Sequence, residues 1–216
     1  METRQPTEQR SSADGRRKEL LEAADRVVLR DGPGASMNAI AAEAGITKPI
    51  LYRHFGDKEG LYRALAVRHT DALIGALRAA LDAPAERRKD RVEATLDTYL
   101  AAIESRPQVY RFLMHPSEGA SGGDRGFEAG QHSAPLLRRL GDELGKVIEE
   151  RLDLGPGGQE TARIWGHGVV GMAYAAGDWW LRERPCSRAE LVRQLADLLW
   201  GRLAMADDRP GAPGSP

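Results

Sequence analysis

Apolar residues recur every three or four positions along most of the chain, and polar, Gly or Pro punctuation separates the runs. Leu20, Ala23 or Ala24, Val27 and Val28 share one face of a segment at 16–30. Asp31-Gly32-Pro33-Gly34 stops it. Ser36 suits the N-cap of a short helix ending near Ala44, and Gly45 suits its close, because glycine takes a positive φ without steric cost. Thr47 opens a second short helix, with Pro49 early in it, where a missing N–H matters little. Gly56-Asp57 interrupts again, and Asp57 can cap a long helix at 58–81 striped by Leu61, Leu65, Ala72, Leu73, Leu77 and Leu81.

The pattern continues helical. Val92, Leu96, Tyr99, Leu100 and Ile103 line one face of 90–104, and Pro107 starts a short helix at 107–114. Residues 116–131, rich in Gly, Ser and charge, read as a mobile loop. Pro135 opens a helix to about 152, with Leu136, Leu140, Leu144, Val147 and Ile148 inward. Glycines at 154–158 break it. A long apolar helix follows at 159–184, and Ser187 with Glu190 forms a capping box for a last helix to about 205. β-branched runs are rare and no fixed-period repeat occurs. The expected fold is all-α with about nine helices. It has a disordered arm (1–15), a three-helix helix-turn-helix head (16–62), a helical body (63–206) and a disordered tail (207–216).

Composition adds limits. The chain has 216 residues, 31 Lys and Arg against 32 Asp and Glu, and a net charge of −1. A near-neutral total leaves nucleic-acid binding open, because the placement of charge decides it. Cys186 is the single cysteine, so no internal disulfide forms and a reduced, cytoplasmic compartment is expected. Residues 1–17 lack the apolar core of a signal peptide. Residues 164–181 have the length of a membrane span, but His167, Asp178 and several glycines mark a buried helix instead. His115, His132 and His167 have no metal-ligand spacing, and no glycine-rich phosphate loop follows a strand. Neither a metal, nor a cofactor, nor an enzyme is expected.

The informative stretch is 36–55, SMNAIAAEAGITKPILYRHF. Two short helices meet at Gly45. Ile40, Ala41 and Ala44 line the inner side of the first, and Ile46, Leu51 and Phe55 that of the second. This is a helix-turn-helix pattern, whose second helix enters the DNA major groove. Thr47 and Lys48 stand at that helix's start, where free N–H groups favour phosphate. Tyr52 and His54 supply donors, Lys48 and Arg53 reach toward base edges, and Lys58 reaches a phosphate. With Ser36 and Pro49 they form the candidate DNA-binding set.

Residues 17–61 resemble the TetR (tetracycline-repressor-like) family of transcriptional regulators. The matching residues are Ala23-Ala24, Gly32, Ile40-Ala41, Ala44-Gly45, Leu51-Tyr52, His54-Phe55, Lys58-Glu59 and Leu61. The family's Leu-Tyr-x-His-Phe signature stands as Leu51-Tyr52-Arg53-His54-Phe55. Val28 in the first helix and Pro33 after Gly32 depart from the family pattern, each standing where an aromatic is common. The resemblance implies a repressor that binds a palindromic operator as a homodimer, with half-sites about one DNA turn (~34 Å) or somewhat more apart. It also implies a body that dimerises through its last two helices and holds a small ligand.

Within 159–184, Gly166, Gly168, Gly171, Ala175 and Ala176 are small and Trp165, Trp179 and Trp180 large. Interior glycine costs a helix up to ~1 kcal/mol relative to alanine, offset by close helix approach or room for a ligand. Adjacent Trp179 and Trp180 must face different surfaces. Candidate ligand-binding residues are Leu96, Tyr99, Ile103, Phe112, Leu140, Trp165, Val169 and Met172. Their apolar character suits a hydrophobic effector, and the run Gly-Met-x-x-x-Ala-x-Asp-Trp-Trp-Leu resembles family members that sense fatty acyl thioesters. Two other classes compete. A DNA-packaging protein without a ligand fits the large apolar body poorly, and a helical enzyme or carrier fits the polar face at 47–58 poorly.

Overall fold

Leu20, Ala24, Val27 and Val28, one face of the first amphipathic run, are each at most 1% exposed and form the floor on which the N-terminal helices pack. A computed structural model describes the backbone of residues 6–115 and 129–207, and the side chains of 15–115 and 134–200. Nine helices occur among the described residues: α1 (Pro6–Asp31), α2 (Met37–Glu43), α3 (Lys48–Phe55), α4 (Lys58–Asp82), α5 (Arg88–Ser105), α6 (Pro107–Met114), α7 (Ala129–Arg151), α8 (Gly158–Glu183) and α9 (Arg188–Asp207). The expected tail beyond 207, most of the expected loop at 116–131, and the first five residues of the expected arm lie outside the described residues.

Three elements differ from the pattern reading. The expected arm is helical from Pro6, ten residues before Arg16, so α1 is longer than predicted. Its first turns carry Pro6 and Glu8, which suit a helix start, but no apolar stripe, so periodicity does not mark them. Pro135 lies inside α7 rather than opening it. A 3₁₀ turn (Gly32–Gly34) links α1 to Ala35.

The chain divides into two compact units, 1–72 with 106–136, and 73–105 with 137–216. The first holds α1, α2, α3, the start of α4, and α6. Its core joins Leu20, Val27, Ile40, Leu51, Leu61 and Leu65 to Val109, Phe112 and Leu113 of α6. The Tyr62 hydroxyl donates to the Leu113 carbonyl, and the Tyr62 and Phe112 rings lie 5.3 Å apart. Burial pushes the Tyr62 phenol well above its ordinary range, so it stays a neutral donor. His69 Nε2 lies 2.7 Å from Asp25, a contact that ties α4 to α1. The expected head boundary at residue 62 therefore falls inside this unit. Its core draws on α6, which the sequence pattern assigns to the body.

In the second unit Gly166 of α8 meets α7. A Cβ there would stand 2.5 Å from the Gly141 carbonyl oxygen and 2.6 Å from the Gly145 nitrogen, so two backbones touch where only glycine fits. Trp180 is 1% exposed and its Nε1 donates to the Cys186 carbonyl at 2.9 Å, whereas Trp179 is 46% exposed. The adjacent tryptophans face different surfaces, as the helical pattern requires. Leu191, Val192, Leu195 and Ala196 bury one face of α9. Arg188 at its start bonds Asp97 and Glu104 of α5, each at 2.7 Å. No described helix is long and apolar enough to cross a membrane.

Candidate nucleic-acid interface

Ser36 Oγ accepts from the Ala39 N–H at 3.1 Å and so starts α2 as an N-cap. At its end Gly45 adopts φ +64, and the Ile46 N–H reaches back to the Ala41 carbonyl at 3.0 Å. This is a Schellman closure, and the positive φ at its hinge selects glycine. Thr47 then caps α3 through its extended backbone, its side-chain oxygen accepting no hydrogen bond from the first turn. Leu51 is fully buried and Phe55 nearly so, which anchors the inner side of α3 against α1 and α2.

The outer side of α3 carries the predicted residues. Thr47, Lys48, Pro49 and Arg53 are exposed, and Tyr52 and His54 half-buried. The Lys48 ammonium sits 5.6 Å from the centre of the Tyr52 ring one turn on. Lys58 is half-buried at the start of α4, which Asp57 caps by accepting from the Gly60 N–H at 2.6 Å. The six predicted residues from Thr47 to His54 thus lie along α3, with Ser36 at the start of the preceding helix and Lys58 at the start of the next.

Two contributors are missed by pattern reading. Arg17 of α1 donates through Nη1 to the His54 carbonyl at 2.8 Å, with its guanidinium 4.5 Å over the Phe55 ring. It covers the negative C-terminal end of α3 and leaves the N-terminal end open. Gly60 lets α4 pass the end of α3, since a Cβ there would collide with the Phe55 carbonyl. The bulky neighbours of Gly60 give no local hint of that approach, and an exposed arginine reads as a solvated charge.

The candidate ligand residues are divided between the two units. Phe112 belongs to the core of the first unit, with Tyr62. In the second unit Leu96, Ile103 and Leu140 are buried, and Trp165, Val169 and Met172 half-buried. At 100° per residue, Trp165, Val169 and Met172 share one flank of α8, while Tyr174 and Asp178 share the other. Tyr99 falls on the second flank, with its ring edge 3.3 Å from where a Gly177 Cβ would stand. Among the described residues no group of His, Cys, Asp or Glu has the form of a metal site.

Comparison with known proteins agrees with an all-helical chain that carries a helix-turn-helix near its N-terminus. Residues 20–65 match the family model described as bacterial regulatory proteins, tetR family, and residues 76–215 match the tetracyclin repressor-like C-terminal domain. The chain is 28% identical to the HTH-type transcriptional activator FasR of Mycolicibacterium smegmatis, over 88% of this chain and 84% of that protein. It is 32% identical to an uncharacterized HTH-type transcriptional regulator of Mycobacterium tuberculosis, over 87% of this chain and 77% of that protein. Among solved structures, the regulator FadR of Bacillus subtilis in complex with stearoyl-CoA shares the fold, with a TM-score of 0.59, 16% identity, and coverage of 84% of this chain and 96% of that one. The chain belongs to the TetR family of transcriptional regulators.

Proposed function

We propose that the chain binds a roughly palindromic operator as a two-fold homodimer and that a small hydrophobic effector releases it. The observation that carries the reading is the exposed polar side of α3. Thr47, Lys48, Tyr52, Arg53 and His54 stand on a helix whose other side is locked by Leu51 and Phe55. A helix packed on one side, with cationic and hydroxyl side chains along its outer face, suits phosphate and base-edge contacts together.

A second surface supports the dimer. Ile164, Gly168, Gly171, Ala175 and Trp179 of α8 fall at spacings of three or four and are exposed, Ile164 by 64%. Leu198 of α9 is exposed by 61%. Apolar exposure on this scale favours an interface, and a second copy would offer the same stripe by two-fold symmetry. The apolar inward residues of the second unit, with stearoyl-CoA held by a protein of the same fold, support a hydrophobic effector.

We take release from the operator to mean repression. An activator reading has one observation behind it, the name of the FasR relative. Fluorescence anisotropy with DNA upstream of the chain's own gene tests binding, and a promoter-reporter pair with and without the protein tests the sign. Absence of any DNA preference over random duplex at physiological salt would overturn the proposal.

A further inference from the structure

Tyrosine is ordinarily buried by its ring and wet at its hydroxyl. Tyr99 on α5 is the reverse. The residue as a whole is partly exposed, yet its hydroxyl is fully buried and has no hydrogen-bond partner among the described residues. A buried hydroxyl without a partner is destabilising, so native structures rarely keep one. Across the crossing, the position of a Gly177 Cβ on α8 would be met by the Tyr99 ring edge together with the apolar side chains of Leu100 and Ile103.

The charge nearby sets the chemistry. Asp178 on α8 acts on the Tyr99 phenol, and its carboxylate is paired with Arg182 at 2.8 Å. The carboxylate is the inward partner, 18% exposed, and the guanidinium the outward one, 56% exposed. The negative charge of Asp178 is therefore felt at the Tyr99 phenol. Burial, then Tyr174, then Asp178 hold the phenol neutral. A neutral phenol donates its proton to an acceptor, and a neighbouring carboxylate disfavours a second anion there.

We infer that the α5–α8 crossing is a polar anchor for the effector, in which Tyr99 donates a hydrogen bond to an uncharged acceptor such as an ester or thioester carbonyl on an otherwise apolar ligand. This rests on the effector reading above and narrows it. The site takes a neutral acyl derivative, whereas a free carboxylate is rejected and a plain hydrocarbon gains nothing from Tyr99.

The test uses the full chain and three probes of equal length: methyl dodecanoate, dodecanoate and dodecane. Binding is read by tryptophan fluorescence and by the shift in melting temperature, for wild type and for Tyr99→Phe. Wild type is expected to prefer the ester to the carboxylate by at least about ten-fold. Tyr99→Phe should bind the ester about three- to ten-fold more weakly and leave dodecane unchanged, as expected for one hydrogen bond. Without probe, the variant should melt no lower than wild type, because the unpartnered hydroxyl is gone. Equal ester affinity in the two proteins, tighter binding of the carboxylate, or no ester binding by wild type overturns the anchor. Stearoyl-CoA added to the operator complex separates the two levels. If it releases wild type and Tyr99→Phe alike, the anchor falls and the effector reading stands. If no probe and no acyl thioester alters operator binding, both fall.

Discussion

Arg17 and His54 are joined across 37 residues by a 2.8 Å hydrogen bond from the guanidinium Nη1 to the main-chain carbonyl. The same guanidinium lies over the Phe55 ring at 4.5 Å. One side chain of α1 thus both occupies a C-terminal carbonyl of α3 and packs on the residue that anchors it. Arg17→Lys keeps the charge but loses the planar stack and the fixed fork. If Arg17 positions α3, the lysine variant should bind operator about three- to ten-fold more weakly, with an unchanged slope of log affinity against log salt. If Arg17 contacts phosphate directly, lysine should restore affinity, and Arg17→Met should lower the slope by about one. Anisotropy titrations between low and moderate salt separate the two.

The outer residues of α3 carry a separate expectation. Lys48→Ala and Tyr52→Phe should weaken operator binding while the helical circular-dichroism signal and melting temperature stay nearly constant, since Lys48 is exposed and phenylalanine keeps the Tyr52 ring packed against the core. Loss of the Tyr52 hydroxyl should weaken all duplexes alike, as loss of a phosphate contact does. Loss of Lys48 should change base preference, as loss of a base-edge contact does, by about 1–3 kcal/mol at the affected pair. Wild-type affinity in both variants would show that another surface reads the DNA.

Much of this site is legible in sequence because its signals are local. Ser36, Gly45 and Asp57 punctuate the backbone, and Ile40, Leu51 and Phe55 repeat at helical spacing, so the turn and its inner face follow from neighbours a few residues apart. The split of Trp179 from Trp180 is legible for the same reason. What escapes is long-range. Arg17 finds its partner in another helix, and α6 joins the first unit through a hydroxyl-to-carbonyl bond between Tyr62 and Leu113 that no periodicity encodes. Tyr99 looks like one more member of an apolar stripe until the burial of its unpartnered hydroxyl is known.

The exposed glycine at 171 gives a sharp test of the dimer. A Cβ at Gly171 meets nothing within 4 Å, so Gly171→Leu fits the single chain without strain. Replacing an interior helix glycine should even stabilise the protomer by up to ~1 kcal/mol. In a two-fold interface built on the Ile164–Trp179 side of α8, the added leucine overpacks the contact at a typical cost of ~1–3 kcal/mol. The expected result is a protomer of unchanged or higher helicity with a dimer dissociation constant raised roughly five- to 150-fold. Sedimentation of wild type as a monomer at micromolar concentration would refute the interface.

Glu104 bonds Arg188 of α9 and also Arg184 beyond α8, and both hold its carboxyl below the usual range, Arg188 with the larger effect. A depressed folded-state value means that its stabilisation is present above the unfolded carboxylate pKa of about 4.3 and disappears as pH falls through the folded value. The difference in melting temperature between wild type and Glu104→Gln should therefore be constant from pH 6 to 8 and shrink below about pH 4. A difference that persists undiminished at lower pH would assign it to packing rather than charge.

Helices α4 and α7 each run across the division between the two compact units, at residues 72–73 and 136–137, and the α5–α6 junction crosses it at 105–106. The sequence pattern points to α4 alone, because its first turn borders the DNA-facing helix and its Leu73, Leu77 and Leu81 stripe belongs to the second unit. An effector bound in the second unit can alter operator affinity only if it binds one arrangement of the dimer more tightly than the other. Moving a population from about 99% operator-competent to about 1% requires roughly 5.5 kcal/mol of differential affinity, near 10⁴-fold. Linkage then requires operator DNA to weaken effector binding by the same factor. Calorimetric titration of stearoyl-CoA into free protein and into the operator complex measures both sides of this cycle. The expected outcome is weaker effector binding in the complex, by the factor by which the effector weakens operator binding. Equal effector affinities in the two titrations would mean that the two units act independently, leaving a DNA-binding protein that does not respond to its ligand.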